Sequence, residues 1–446
     1  MKHMKKALSL LLAMLMLLSL VACGSGSGNG DGEGDAPGGE KLVVWALAED
    51  MIKFAEKYEE ATGVEVEVVV TVANDYPTKL QTAIRGNNTD VDVIMGEPKM
   101  LPDMYDLGAF ADLDALGAGE FEGKITDYVW QFGKDPEGVQ RAISYQVTPA
   151  GIYYRRDIAE NVFGTSDPEE ISKYFADYET ILETAQTLKD AGYRCFAADG
   201  EMEYFSNDEP WVVDGKLNVS QGRLDYMDLV VELYQRDLTA YCSTWSTPWY
   251  QAMGGPVPLL SAGDDVWSED FEANTADSPT IEVFSFALPA WGTITMKKHV
   301  GELSGKWGVC AGPSYGFAGG SYLGISELSK RKDLAWDFIK FCTLNEETAD
   351  WWIEESEGDV VSLISAQEKH ADDENPIYGN QKLNAFWSEQ AKHIDPSVVT
   401  GYDSTIFAEW TAAIGSVKTG AATKEEAINT FYDRVASTYP DLIIER

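Results

Sequence analysis

From residue 41 onward the apolar positions switch between a period of two and a period near 3.6. Residues 42–47 form a continuous apolar run that predicts a buried strand. After it Met51, Phe54, Ala55, Tyr58 and Ala61 recur at helical spacing until Gly63 ends the pattern. Residues 64–70 predict a second strand, 76–85 a second helix and 91–95 a third strand. This βαβαβ order predicts a mainly parallel α/β sheet, and ligands of such sheets sit beyond the carboxyl ends of the strands. Two strand-like runs within 141–154 are broken by Thr148, Pro149 and Gly151. Helical patterns follow at 158–163, 168–175, 178–191 and 221–236, with a short strand at 194–197 and an apolar run at 281–288. The last helices fall at 384–392, 405–418 and 424–439, where Trp387 and Trp410 are assigned to packing.

The stretch 306–345 is the most specific. An apolar run at 307–310 passes into a polar, Gly-rich segment with Pro313, Tyr315 and Phe317. A short strand at 322–325 precedes a helix whose stripe is Leu334, Ala335, Phe338, Ile339, Phe341 and Cys342, with Ser329 as its predicted N-cap. A GP...GG loop, a small strand and an AWDFIKF helix in this order resemble the return segment of extracellular solute-binding proteins of the maltose-binding type. The resemblance covers most of the chain after Lys41, the middle only loosely. It implies a two-lobed α/β periplasmic-binding-protein (venus-flytrap) fold, each lobe a mainly parallel sheet flanked by helices. Residues 41–148 and 313–344 would form lobe 1, and 149–312 and 345–446 lobe 2. The crossings would be 141–154 and the return at 312–322. The function implied is capture of a carbohydrate, an oligosaccharide, by interlobe closure and its delivery to the permease subunits of an ABC importer, with no catalysis.

Ahead of this region, Lys2, Lys5 and Lys6 precede an apolar run at 7–20 that is shorter than the ~20 residues of a membrane span. Leu20, Val21, Ala22 and Cys23 resemble a bacterial lipobox. Residues 1–22 then read as a lipoprotein signal peptide and Cys23 as the lipid attachment site, anchoring the exported protein to the outer face of the cell membrane. Residues 24–40 have no apolar side chain larger than Ala or Pro and read as a flexible tether.

A net charge of −40 argues against nucleic acid and against anionic membrane surfaces, which need a basic face. Cys195, Cys242, Cys310 and Cys342 are too sparse for a disulfide scaffold and lack CxxC spacing, so buried free thiols are expected. His299, His370 and His393 stand in no metal or triad context, and neither HExxH nor GxxxxGK occurs. No cofactor and no metal is expected, and the protein is read as a monomer. A glycoside hydrolase, which needs only two carboxylates beside aromatic platforms, is the enzymatic rival. A binding protein for a cation such as a polyamine or peptide is the other alternative.

The strand-end rule selects Trp45, Glu49, Asp75, Tyr76 and Glu97 in the first lobe. The segment YCSTWSTPWY adds Trp245 and Trp249, four apart among Ser, Thr and Pro. The resemblance places Tyr145 and Gln146 on the first crossing, facing the cleft, and Trp291 of the PAW turn within it. Tyr315, Ser321 and Tyr322 complete the set from the return segment. Aromatic faces that stack on sugar CH groups, with carboxylates and Ser321 for hydroxyls, make a carbohydrate the preferred ligand.

Overall fold

The computed structural model describes residues 41–71 and 75–446; the leader, Cys23, the tether and Val72 to Asn74 lie outside the described residues. Among the described residues, twelve strands occur in chain order. They are β1 (Lys41–Ala46), β2 (Glu65–Val70), β3 (Val93–Gly96), β4 (Ile143–Ser144), β5 (Ala150–Arg155) and β6 (Tyr193–Phe196), followed by β7 (Val212–Val213), β8 (Lys216–Leu217), β9 (Val257–Pro258), β10 (Thr280–Pro289), β11 (Trp307–Cys310) and β12 (Tyr322–Ile325). Two sheets organise two lobes: one in the order β2-β1-β3-β12-β4, the other in the order β11-β5-β10-β6. Every residue of β5 is buried, as expected of a strand covered on both faces.

Strand direction departs from the expectation of mainly parallel sheets. β1 runs parallel to β2 and β3, and β6 parallel to β10, as their helical connections require. β12 is antiparallel to both β3 and β4, and β5 is antiparallel to β10 and β11. The physical reason is the crossing itself. A chain that leaves one sheet and returns from the other lobe enters from the opposite end.

A buried carboxylate fixes where the return segment docks. Asp92, just before β3, accepts from the Val43 amide at 2.9 Å, from Ser329 Oγ at 2.6 Å and from the Arg331 guanidinium at 2.7 and 3.0 Å. Ser329 therefore does not cap the helix as predicted. The helix is Lys332–Thr343, with Arg331 at its N-cap and no side-chain cap bond.

The helix Glu346–Ser356, expected with the second lobe, packs Trp351 and Trp352 on Phe54 of the first-lobe helix Asp50–Thr62, with ring centroids 5.5 and 4.8 Å apart. Beyond it the backbone runs beside the first crossing, where Val147 N donates to Val360 O and Ser362 N donates to Tyr145 O, both at 2.8 Å. A third segment thus joins the two crossings that were predicted. Trp387 packs beside Tyr153 of β5, and Trp410 between Trp211 and Phe431.

All four cysteines of the described residues are free and buried. Burial pushes each thiol up, that of Cys242 to about 12. A chain from Glu40 onward is expected to show no fast-reacting thiol when native and four when denatured. A rapid native reaction at any of them would contradict the packing described.

Candidate functional site

Strands of both sheets end against the crossings. After β1 comes Asp50, after β3 Glu97 and Pro98, after β6 the turn Glu201–Phe205, and after β10 Trp291. Each of these segments touches the hinge. The Tyr145 hydroxyl stands close enough to Asp50 to lower its carboxyl, and a Cβ placed on Gly320 would lie 3.7 Å from Pro98. One placed on Gly316 would strike the Tyr204 carbonyl, and Trp291 Nε1 donates to Ala318 O at 2.9 Å. Residues from both lobes thereby line one interlobe face, at the position the strand-end rule requires.

Its floor is a polar network on the crossings. Ser321 Oγ receives Gln146 Nε2 at 3.1 Å and the Tyr145 hydroxyl at 3.4 Å. Burial raises the Asp50 carboxyl, while Lys298, Lys53 and the Tyr145 hydroxyl pull it back down. Gln146 Oε1 is buried with no hydrogen-bond partner. A free carbonyl oxygen of this kind favours a hydroxyl donor. Alongside, Ala150 N donates to Gly316 O at 2.7 Å and Thr148 Oγ1 to Gly319 O at 3.2 Å, binding the two crossings together.

Its second-lobe wall is aromatic. Trp245 and Trp291 stack at 5.8 Å with 28° between planes, and Trp249 lies 4.9 Å behind Trp245. Trp245 has φ 69°, a left-handed backbone uncommon for a bulky residue, and is 44% exposed. The loop thus holds a strained conformation while keeping a large ring in solvent, a combination that clusters at binding sites.

The sequence-selected residues divide accordingly. Tyr145, Gln146 and Ser321 meet on the floor, and Trp245 with Trp291 forms the platform. Glu97 is reached by water yet ringed by protein, and this crowding raises its carboxyl against the pull of Lys99. Glu49 and Asp75 are exposed at helix N-caps without side-chain cap bonds. Tyr76, Tyr322 and Trp249 are core residues; Tyr76 donates its hydroxyl to Met95 O and Trp45 O at 2.7 and 3.1 Å. Trp45 is nearly buried, with the Lys79 ammonium 4.1 Å from the centre of its ring. Tyr315 stacks on His393 at 4.4 Å instead of joining the platform.

Sequence reasoning missed Asp50, Lys99, Glu203, Tyr204 and Lys298. Lys99, Glu203 and Tyr204 line one small pocket, and the Lys99 charge lowers the carboxyls of Glu97 and Glu203 against their burial. The strand-end rule, applied after β6 as it was after β1, finds Glu203 and Tyr204. Gly312-Pro-Ser314-Tyr-Gly316 has the Gly-x-Ser-x-Gly spacing of a nucleophile elbow, but that motif needs a strand-to-helix turn. Here Ser314 lies between β11 and β12 and donates its hydroxyl to Phe205 O at 2.9 Å. Among the described residues no group of three His, Cys, Asp or Glu side chains is placed to hold a metal, and no helix is long and apolar enough to cross a membrane.

Comparison with known proteins agrees with this architecture. A search of curated proteins finds no match. Among solved structures, one described as an extracellular solute-binding protein of family 1 superposes with a TM-score of 0.71 at 19% identity, covering 88% of this chain and 98% of its own. An ABC transporter associated binding protein from B. animalis subsp. lactis Bl-04, solved with β-1,6-galactobiose, gives 0.66 at 18% identity over 92% of this chain and 100% of its own. The galacto-N-biose/lacto-N-biose I-binding protein of Bifidobacterium longum, solved with lacto-N-biose, gives 0.67 at 14% identity over 92% and 100%. A family model described as bacterial extracellular solute-binding protein matches residues 53–373, and the chain belongs to that family.

Proposed function

We propose that this protein captures a carbohydrate, an oligosaccharide, between its lobes and hands it to the permease subunits of an ABC importer, held at the membrane by a lipid on Cys23. The observation that carries the reading is the stacked Trp245–Trp291 platform beside the Asp50, Tyr145, Ser321 and Gln146 network. Flat apolar rings suit the CH faces of pyranoses, and the network offers acceptors to their hydroxyls. Lys99 and Lys298 share the cleft with its carboxylates, so the site is not a bare anionic pocket for a cation. The sugars bound by the structural neighbours support the same class.

Binding follows from geometry. Residues after β1 and β3 and residues after β6 and β10 meet one ligand only when the lobes close. The ligand's extra contacts in that state shift the population toward closure, the shape an importer reads. No bond in the ligand is made or broken.

A thermal-shift panel of mono- and oligosaccharides, polyamines and cationic peptides tests this. A sugar at a hundred times its dissociation constant adds ~2.7 kcal/mol of stability and raises the melting temperature. Trp291→Ala is expected to abolish that rise, and the sugar is expected to be recovered intact. Stabilisation by cations alone, or recovery of cleaved sugar, overturns the reading.

A further inference from the structure

Beneath the platform lies a carboxylate that no ligand reaches. Glu201 is buried on the turn after β6; its Oε1 accepts from Trp249 Nε1 at 2.7 Å and its Oε2 from the Ala287 amide of β10 at 3.3 Å. One side chain therefore ties the helix Thr247–Gly254 to the strand that delivers Trp291. Trp249 is fully buried, edge-on to Phe286 at 5.5 Å, and Trp245 rests on it in its left-handed backbone. Such a conformation persists only where the surroundings over-determine it. A carboxylate here costs stability that an apolar side chain of equal size would not. What it supplies is direction, a fixed acceptor for one indole N–H.

We infer that Glu201 is the positioning residue of the tryptophan platform, orienting Trp249 so that Trp245 keeps its ring against Trp291 at the hinge. Its effect on binding rests on the carbohydrate reading; its effect on ring geometry does not. Burial raises the Glu201 carboxyl, with Asp199 adding to the rise and the Trp249, Ala287 and Ala198 N–H groups opposing it. The group is thus kept near neutrality without losing its acceptor oxygen.

The test is the tryptophan exciton couplet in circular dichroism of the full mature chain, assigned by its loss in Trp245→Phe and in Trp291→Phe. Glu201→Leu is expected to lose the couplet with the helical signal unchanged, and Glu201→Gln, which keeps an acceptor, to restore most of it. If Glu201→Leu does not fold, Trp249→Phe, which removes the N–H donor together with the pyrrole half of the indole, is expected to weaken the couplet likewise. With any sugar that passes the panel, Glu201→Leu is expected to weaken binding about tenfold, a difference of ~1.4 kcal/mol. A full couplet in Glu201→Leu or in Trp249→Phe overturns the inference, and a lost couplet with unchanged affinity overturns its effect on binding. If no sugar binds, the carbohydrate reading fails while the couplet still decides the role of Glu201.

Discussion

Raising the pH from 5 to 9 is expected to lower the melting temperature, and Glu201→Gln and Asp359→Asn are each expected to flatten that decline over its own part of the range. Both carboxyls are buried and both are raised by burial, Glu201 from 4.5 to about 8 and Asp359 from 3.8 to about 7. A folded-state pKa above the unfolded value means that the native state holds its proton longer. The stability is fully present below the unfolded pKa and is lost as pH rises to the folded one. At 1.36 kcal/mol per unit, the loss across this window is on the order of 4 kcal/mol for Glu201 and ~3 kcal/mol for Asp359. Around Asp359 stand Trp352, whose Nε1 donates to it at 2.8 Å, its Val360 neighbour and the Asp50 charge. His370, raised by Asp373 and Asp350 against its own desolvation, adds a loss of the same sign. The lowered carboxyls Asp157 and Asp350 act only at more acid pH. Urea titrations of wild type and both variants at each pH measure the slopes. Identical profiles for wild type and Glu201→Gln would mean that Glu201 is ionised in the native state.

The elements were legible because they are local. β1, from its continuous apolar run, and the helix Lys332–Thr343, from its helical stripe, each carry a local signal strong enough to stand without a partner, and each forms within a residue or two of expectation. Strand direction was not legible, because nothing in residues 322–325 records that the chain arrives from another lobe. Ser329 shows the same limit. As a helix cap it satisfies every local rule, and it is drawn away by Asp92, more than two hundred residues earlier.

For the site, the strand-end rule found the right places and often the wrong side chain. At the end of β1 it named Glu49, the exposed neighbour of the Asp50 that meets Tyr145. At the start of the second helix it favoured Tyr76, whose hydroxyl is used up on two core carbonyls. Which of two adjacent residues faces a cleft depends on a single helical step of rotation, and composition does not encode that. Trp245 was found because a large ring among Ser, Thr and Pro has no aliphatic core to enter, a rule that also named Trp249, which is fully buried, while Trp291 was found through the resemblance of its PAW turn.

Gly316→Ala is expected to cost roughly 2–3 kcal/mol of stability and to impair ligand capture as well. A Cβ at this position would stand 2.1 Å from the carbonyl oxygen of Tyr204 and 2.7 Å from its carbon. Those atoms are backbone, so no rotamer change relieves the contact. Either the return crossing moves or the turn Glu201–Phe205 does. The crossing is tied at this same residue, where Gly316 O accepts from Ala150 N at 2.7 Å, and Ser314 Oγ donates to Phe205 O two residues earlier. Movement of the turn would displace Glu203 and Tyr204 from the cleft and Glu201 from Trp249. A change that only adds a methyl group to a loop would therefore be felt by both the hinge and the platform. Gly415→Ala is the control. It lies within the helix Asp403–Lys418 with nothing near its would-be Cβ, and is expected to gain ~0.5–1 kcal/mol from helix propensity alone. Denaturant unfolding of the two variants, with small-angle scattering to follow lobe opening, decides the matter. A Gly316→Ala protein as stable as wild type, with an unchanged scattering profile, would show that crossing and turn are free to separate, and the coupling between hinge and platform would have to be abandoned.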